Sequence, residues 1–194
     1  MKLTKLKTKF LGKNNLYYDK IDSTQKEIWR LYEKDTPNGT LIMAGIQENG
    51  IGTHGRIWHT DQDNNIAFSF LIKTQCNINK LDGLTLRIAG IIVDIFKEKY
   101  GINLNIKKPN DIVYNKKKIG GILTETMITN EIAKAIVVGI GINTSQKDFS
   151  EDIKETASSI KKEFNIDIDV KKFIEEFCNR FENEILERIG NKWK

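Results

Sequence analysis

The sequence predicts an α+β fold in which helices cover a mostly antiparallel mixed sheet. Three observations lead there. Apolar residues alternate with period two in Ile66–Ile72, and they recur at three- and four-residue steps from Leu84 to Phe96. Short strand-like runs separated by tight turns then fill the segment from Leu104 to Ile142. The element order is therefore helix, strands, helix, strands, helix, which segregates a meander of hairpins from its covering helices.

Following the chain, a lysine-rich entry carries the apolar residues Leu3, Leu6 and Phe10. Thr24–Glu33 reads as the first helix. Thr24 and Glu27 stand at capping-box spacing, and Ile28, Leu31 and Tyr32 mark the buried side. Pro37-Asn38-Gly39 turns the chain into a strand at Thr40–Gln47, and a glycine-bearing loop is expected from Glu48 to Asn64. In Ile66–Ile72, Ile66, Phe68, Phe70 and Ile72 face the core, while Ala67, Ser69 and Leu71 occupy a partly wet face. The long helix ends at Tyr100 with Gly101 as its stop. Leu104–Lys107, Ile112–Tyr114, Ile119–Thr126 and Ala133–Ile142 follow as strands. Asn115-Lys116-Lys117 and Thr129-Asn130-Glu131 form the tight connections among the last three. Val170–Ile189 closes the sequence as an amphipathic helix with Val170, Phe173, Phe177, Phe181 and Ile185 on one side, stopped by Gly190.

Composition narrows the function. The 194 residues carry no low-complexity linker or internal repeat, which favours one domain large enough for a core without disulfide or metal staples. Mean hydropathy is −0.42 and there is no long apolar run, so no membrane partner is expected and the reading is cytoplasmic. Cys76 and Cys178 belong to no CxxC pair. The formal net charge of +5 hints at nucleic acid, but only Arg30, Arg56, Arg87, Arg180 and Arg188 are arginines. The remaining basic residues are lysines interleaved with acids, a diffuse field and no phosphate track, so no nucleic-acid partner is expected.

The chemistry is concentrated in three glycine-marked strand ends. Gly50-Ile51-Gly52-Thr53-His54-Gly55-Arg56-Ile57-Trp58 lets backbone approach an anion and can form a nest of N–H groups. It lacks the GK[ST] ending of a Walker loop. Lys107-Lys108-Pro109-Asn110-Asp111 lies between two short strands, and Lys118-Ile119-Gly120-Gly121-Ile122-Leu123 opens the next. Adjacent glycines do not stabilise a strand, so they signal close approach of a ligand or another backbone. Gly139-Ile140-Gly141-Ile142-Asn143 repeats the pattern. Together these segments describe a pocket for an extended, phosphate-containing ligand. Each has a plainer reading: Thr24 as a helix cap, Lys118 as an exposed hairpin lysine beside Lys116 and Lys117, Pro-Asn-Asp as an Asx turn, Trp58 as packing. His54 and His59 lack the acidic neighbour of an HExxH helix, so no protein metal site is assigned.

These motifs, with Ser23-Thr24-Gln25 and Gln47 ahead of them, occur in the order and spacing of the biotin protein ligases, the biotin–[acetyl-CoA carboxylase] ligases, which the sequence resembles from Ile21 to Ser145. The resemblance implies the fold shared by class II aminoacyl-tRNA synthetases and lipoyl ligases. It also implies activation of biotin by ATP and Mg²⁺ to biotinyl-5′-AMP, with transfer to a lysine of the biotin carboxyl carrier domain of acetyl-CoA carboxylase. By resemblance, Ser23, Thr24, Gln25, Gln47, Gly50, Gly52, Thr53, Lys118 and Gly121 contact biotin. Ile51, Thr53, His54, Gly55, Arg56, Trp58, Lys107, Asn110 and Asn143 lie on the nucleotide. Lys118 and Arg56 stabilise the developing phosphate charge, and Asp111 orients or deprotonates the acceptor amine.

The sequence departs from the family pattern at Ile51 and Thr53, where arginines are common, and at Lys108, where tryptophan is common. The resemblance places residues 1–194 in a single catalytic domain, with no N-terminal helix-turn-helix domain and with the C-terminal SH3-like domain absent or truncated. Lipoate ligation and a non-catalytic biotin or nucleotide sensor are the rival functions. The Ile119–Ile142 hairpin offers an exposed edge for a homodimer.

Overall fold

Strand alternation at Ile66–Ile72 continues to Asn77, and both faces of its first half are buried: Ala67, Ser69 and Leu71 are as enclosed as Ile66, Phe68 and Phe70. The expected wet face is instead covered by a helix. The computed structural model describes residues 1–60 and 65–186. Its strands are β1 (Asn15–Ile21), β2 (Leu41–Ile51), β3 (Ile57–Thr60), β4 (Ile66–Asn77), β5 (Asn105–Lys107), β6 (Asp111–Tyr114), β7 (Lys117–Thr129) and β8 (Ile132–Ile142). They form one eight-stranded sheet in the order β1-β2-β4-β8-β7-β6-β5, with β3 also paired to β2. β1 runs parallel to β2, and the other named pairs are antiparallel. The α+β expectation with a mostly antiparallel mixed sheet therefore holds.

The helices are α1 (Thr24–Glu33), α2 (Leu84–Tyr100), α3 (Ile160–Phe164) and α4 (Val170–Phe181), the last continued by a π-helical turn at Glu182–Leu186. Sequence reading missed β1 and α3. Neither has a long enough periodic pattern to stand out, and β1 is held by its register on β2. The predicted helix end at Ile189 and its Gly190 stop lie outside the described residues, as does the last part of the expected loop, Asp61 to Asn64.

The rest of that loop is corrected. β2 runs on to Ile51, and after a short 3₁₀ turn at Thr53–Gly55 the chain returns as β3, with Gly50 opposite Trp58. A Cβ on Gly50 would lie 2.3 Å from the Trp58 carbonyl oxygen, so the glycine is needed for this hairpin to close. The hairpin between β7 and β8 is also not a free edge on both sides. β8 is covered by β4, and β6 pairs with β7 only from Lys117 to Gly121.

Two apolar layers sandwich the sheet. One contains α2, α4, Leu3 and Leu11 over Phe68, Phe70 and Ile136. The other is smaller: Ile28 of α1 over Ile42, Leu71, Ala135 and Val137. Because side chains alternate across a strand, Ser69 of β4, Gly139 and Gly141 of β8, and Gly121, Leu123 and Glu125 of β7 share a face with this second layer. That face carries the cleft described next. Among the described residues no helix is long and apolar enough to cross a membrane.

Candidate functional site

The N-terminus of α1 forms one wall. Ser23, not Thr24, is the N-cap, its Oγ accepting from Lys26 N at 3.5 Å. The expected Thr24/Glu27 capping box does not form, because Thr24 is already the first helical residue and points into the sheet. Its N–H donates to Gln47 Oε1 at 2.8 Å, and its hydroxyl lies 2.9 Å from Ser69 Oγ. Glu27 turns outward to Arg30. Arg30 also grips Asp22 with both terminal nitrogens and holds the Asp22 carboxyl down to about 2 by hydrogen bonding. Asp22 accepts the Ser23 N–H as well, at 2.8 Å, so the turn that presents Ser23, Thr24 and Gln25 is tied from outside.

Ser23, Thr24, Gln25, Gln47 and Ser69 close one end of a narrow cleft of about 40 Å³, walled by the glycines Gly121, Gly139 and Gly141. A second cleft of about 190 Å³ adjoins it, lined by Arg56, Asn143, Gln146, Phe149, Ile153 and Thr156 among others. Gly52, Thr53, Trp58 and Lys118 line both. Lys118 Nζ pairs with Asp111 Oδ1 at 2.7 Å and lies 5.6 Å from the Trp58 ring centre. Its backbone is fixed from both sides, the N–H donating to Thr156 O and the carbonyl accepting from Ser158 N. The ring of Trp58 lies against Gly141, where a Cβ would sit 2.4 Å from it.

Asp111 comes within reach because β6 and β7 pair, setting it opposite Gly121. Asn110 holds the turn before it, donating its Nδ2 to Ile122 O while its own carbonyl accepts from Ile122 N. Asn143 leaves the end of β8, its Nδ2 donating to Ser158 O at 3.1 Å.

A family model described as the Biotin/lipoate A/B protein ligase family matches residues 17–143. The chain belongs to this family. Over 157 residues it is 37% identical to the "Bifunctional ligase/repressor BirA" of Bacillus subtilis, an alignment covering 80% of this chain and 48% of that protein. It is 29% identical over 126 residues to the "Biotin--[acetyl-CoA-carboxylase] ligase" of Paracoccus denitrificans, covering 64% of this chain and 52% of that one. Among solved structures, the biotin protein ligase of Aquifex aeolicus in complex with biotin and ATP superposes with a TM-score of 0.76 at 29% identity, over 94% of this chain and 74% of that chain. The chain spans about half the length of the curated relatives it matches.

Within this ligase-family site the predicted residues divide. Ser23, Thr24, Gln25, Gln47, Ile51, Gly52, Thr53, Asn110, Lys118 and Gly121 line the first cleft, and Arg56 and Asn143 line the second. Trp58 lines both, and Asp111 is attached through Lys118. Gly50, His54, Gly55 and Lys107 line neither. Gly50 is consumed by the β2–β3 pairing, and His54 and Gly55 form the exposed 3₁₀ turn with positive φ. Lys107 is an exposed residue of β5. Sequence reading missed Ser69, Glu125, Gln146 and Phe149. Ser69 had a signal, as a lone polar residue inside an otherwise apolar strand. Glu125 had none.

Proposed function

We propose that this chain activates biotin with ATP and transfers it to a lysine of a biotin carboxyl carrier domain of acetyl-CoA carboxylase. The observation that carries the reading is Lys118, a single cation shared by an acceptor-lined cleft and a larger, partly apolar one. A ligand with a polar head and a carboxylate tail fits the first, head against Thr24 and Ser69 and tail toward Lys118. A nucleotide fits the second, with its base near Phe149 and Ile153 and its α-phosphate toward Lys118 and Arg56. Among the described residues no three His, Cys, Asp or Glu side chains group as a metal site. Mg²⁺, if bound with the nucleotide beside Lys118 and Arg56, would supply neutralisation of phosphate charge.

In this reading a biotin carboxylate oxygen attacks the α-phosphorus, the bond to the bridging oxygen breaks, and pyrophosphate leaves. Lys118 lowers the repulsion between the two anions and stabilises the charge gathering on phosphorus, which a fixed cation does without reorganising. Trp58 and the Gly52–Arg56 turn limit water access to the mixed anhydride. The acceptor amine then attacks the acyl carbon, AMP leaves, and a proton departs from nitrogen. Asp111, 2.7 Å from Lys118, is the carboxylate available to orient that amine and take the proton.

Two finer elements belong to the same reading. The described residues act as one catalytic unit working in the cytoplasm. The outer edge of β7 from Leu123 to Thr129, with Met127 and Ile128 exposed, is where a second copy would add strands.

Biotin- and ATP-dependent pyrophosphate exchange tests the proposal. Wild-type protein is expected to exchange, and Lys118→Ala to lose at least a hundredfold in rate. Absence of exchange in the wild type refutes the activity, and an unaffected Lys118→Ala refutes the role given to that lysine.

A further inference from the structure

A hydrogen-bonded chain runs along the closed end of the first cleft, and its far end is a carboxylate that the reaction does not use. Gln25 Nε2 donates to Glu125 Oε2 at 2.9 Å and to Val137 O at 3.3 Å. The same Glu125 oxygen accepts Trp29 Nε1–H at 2.7 Å. Ser69 Oγ donates to Gln25 Oε1 at 3.0 Å, Thr24 Oγ1 is placed to donate to Gln47 Oε1 at 3.0 Å, and the Thr24 and Ser69 hydroxyl oxygens lie 2.9 Å apart.

We propose that Glu125 is a positioning residue that sets the direction of this chain, and through it makes the cleft select ligand heads that present N–H donors. The inference rests on the biotin-ligase reading above.

Glu125 has only acceptor oxygens when ionised. Turning the Gln25 amide over would put its oxygen 2.9 Å from a carboxylate oxygen and 3.3 Å from a carbonyl oxygen, so the amide nitrogen must face Glu125. Gln25 Oε1 therefore faces Ser69 and accepts its only proton. With the Ser69 proton committed to Gln25, Ser69 cannot donate to Thr24; the single Thr24 proton goes to Gln47 Oε1 at 3.0 Å or to Ser69 Oγ at 2.9 Å, both within the chain, and in either case Thr24 Oγ1 keeps its lone pairs. Gln47 Oε1 is supplied by the Thr24 N–H at 2.8 Å. What remains on the cleft side is acceptor capacity, on Thr24 Oγ1 in either case and on Gln47 Oε1 as well when the Thr24 proton goes to Ser69. A urea-type head with two N–H groups satisfies such acceptors. The dithiolane head of lipoate carries no donor and would leave them desolvated and unpaired, the situation that rejects a ligand lacking a required donor.

The position is sensitive from the opposite wall too. A Cβ on Gly139 would lie 2.6 Å from Gln25 Oε1 and 3.2 Å from Ser69 Oγ. Glu125 reaches the chain because β7 pairs with β8 and presents Gly121, Leu123 and Glu125 on the α1 face.

The test is calorimetric titration of wild type, Glu125→Ala and Glu125→Gln with biotin, lipoic acid and ATP. Glu125→Ala frees the Gln25 amide and is expected to weaken biotin at least tenfold, with ATP and lipoic acid changed less than threefold. Glu125→Gln keeps an oxygen for Gln25 and Trp29 and is expected to recover most of the lost biotin affinity. Equal losses for biotin and ATP, or biotin binding unchanged in Glu125→Ala, overturn the inference. Wild type that binds no biotin overturns the ligase reading and the inference with it, whereas wild type that binds biotin with an indifferent Glu125→Ala overturns the inference alone.

Discussion

Gly141 has no side chain because the Trp58 ring occupies that space. A methyl placed there would come within 2.4 to 2.7 Å of three ring atoms, and the ring, being the movable partner, would be displaced. Gly141→Ala is therefore expected to weaken nucleotide binding about tenfold, roughly 1.4 kcal/mol, while the melting temperature changes little. Titration with a fluorescent ATP analogue reads the first and calorimetry the second.

Asp22 illustrates a different kind of residue effect. Its folded value near 2 lies below the ordinary 3.8, because Arg30 hydrogen-bonds the charged form. A depressed carboxylate stabilises the fold at pH values above its unfolded value, and loses that contribution as pH falls through 3.8 toward 2. Arg30 is 46% exposed, so screening limits the pair to about 1 kcal/mol or less. Asp22→Asn should cost that much at pH 7 and nothing measurable near pH 2, read by urea denaturation at both values.

At the scale of elements, periodicity and turn chemistry were legible where they were local. α1 and α2 stand where the apolar spacing predicts, and Gly101 at φ +69 ends α2 as a left-handed cap. The turns at Asn115-Lys116 and Asn130-Glu131 have positive φ at both central residues, the geometry that suits the twist of a two-residue hairpin. Glu131 holds φ +62 at a position where glycine is unstrained. Glu131→Gly is expected to raise stability by up to about 1 kcal/mol, the released strain being partly offset by the glycine's freedom in the unfolded chain.

α4 depends on packing instead. Phe177 meets Phe68 at 5.4 Å, Phe70 at 5.9 Å and Phe181 at 5.8 Å between ring centres, all in the main core. Phe177→Ala should cost about 3 to 5 kcal/mol in denaturant unfolding. β2 beyond Gln47 was not legible as strand, since Glu48, Asn49, Gly50 and Gly52 are poor strand formers. Its extension rests on pairing with β3.

For the whole molecule, the N-terminal segment is bound by side chains of α4 and the turn after it. Glu175 Oε1 accepts from Thr4 N and Lys5 N, Asn179 Oδ1 from Lys7 N, and Glu182 from Lys9 N, Phe10 N and Leu11 N. These acceptors are spaced four and three residues apart, so they form one stripe on the helix surface. Leu3 and Leu11 complete the attachment by burying themselves in the core. Glu182→Ala leaves donors without partners and is expected to cost about 2 to 3 kcal/mol. Trypsin should then cut faster at Lys5, Lys7 and Lys9, with ligand affinity unchanged, because the attachment lies on the sheet face opposite the clefts.

By itself the sequence determined the α+β class, the long helix, the hairpin turns, and the glycine motifs that group Lys118, Asp111 and Ser23-Thr24-Gln25 in one ligase-type site. These are features written in short windows: spacing sets which face is apolar, and glycine or asparagine sets where the chain can turn. Only the tertiary structure decided that Ser23 caps α1, that the glycine loop is largely a hairpin, and that His54, Gly55 and Lys107 line neither cleft. It alone brought Ser69 and Glu125, 44 and 100 residues from Gln25, into one hydrogen-bonded chain. The physical reason is that such a chain needs strand register: Glu125 on β7, two strands from Ser69 on β4, is specified by pairing, which no local window of sequence contains.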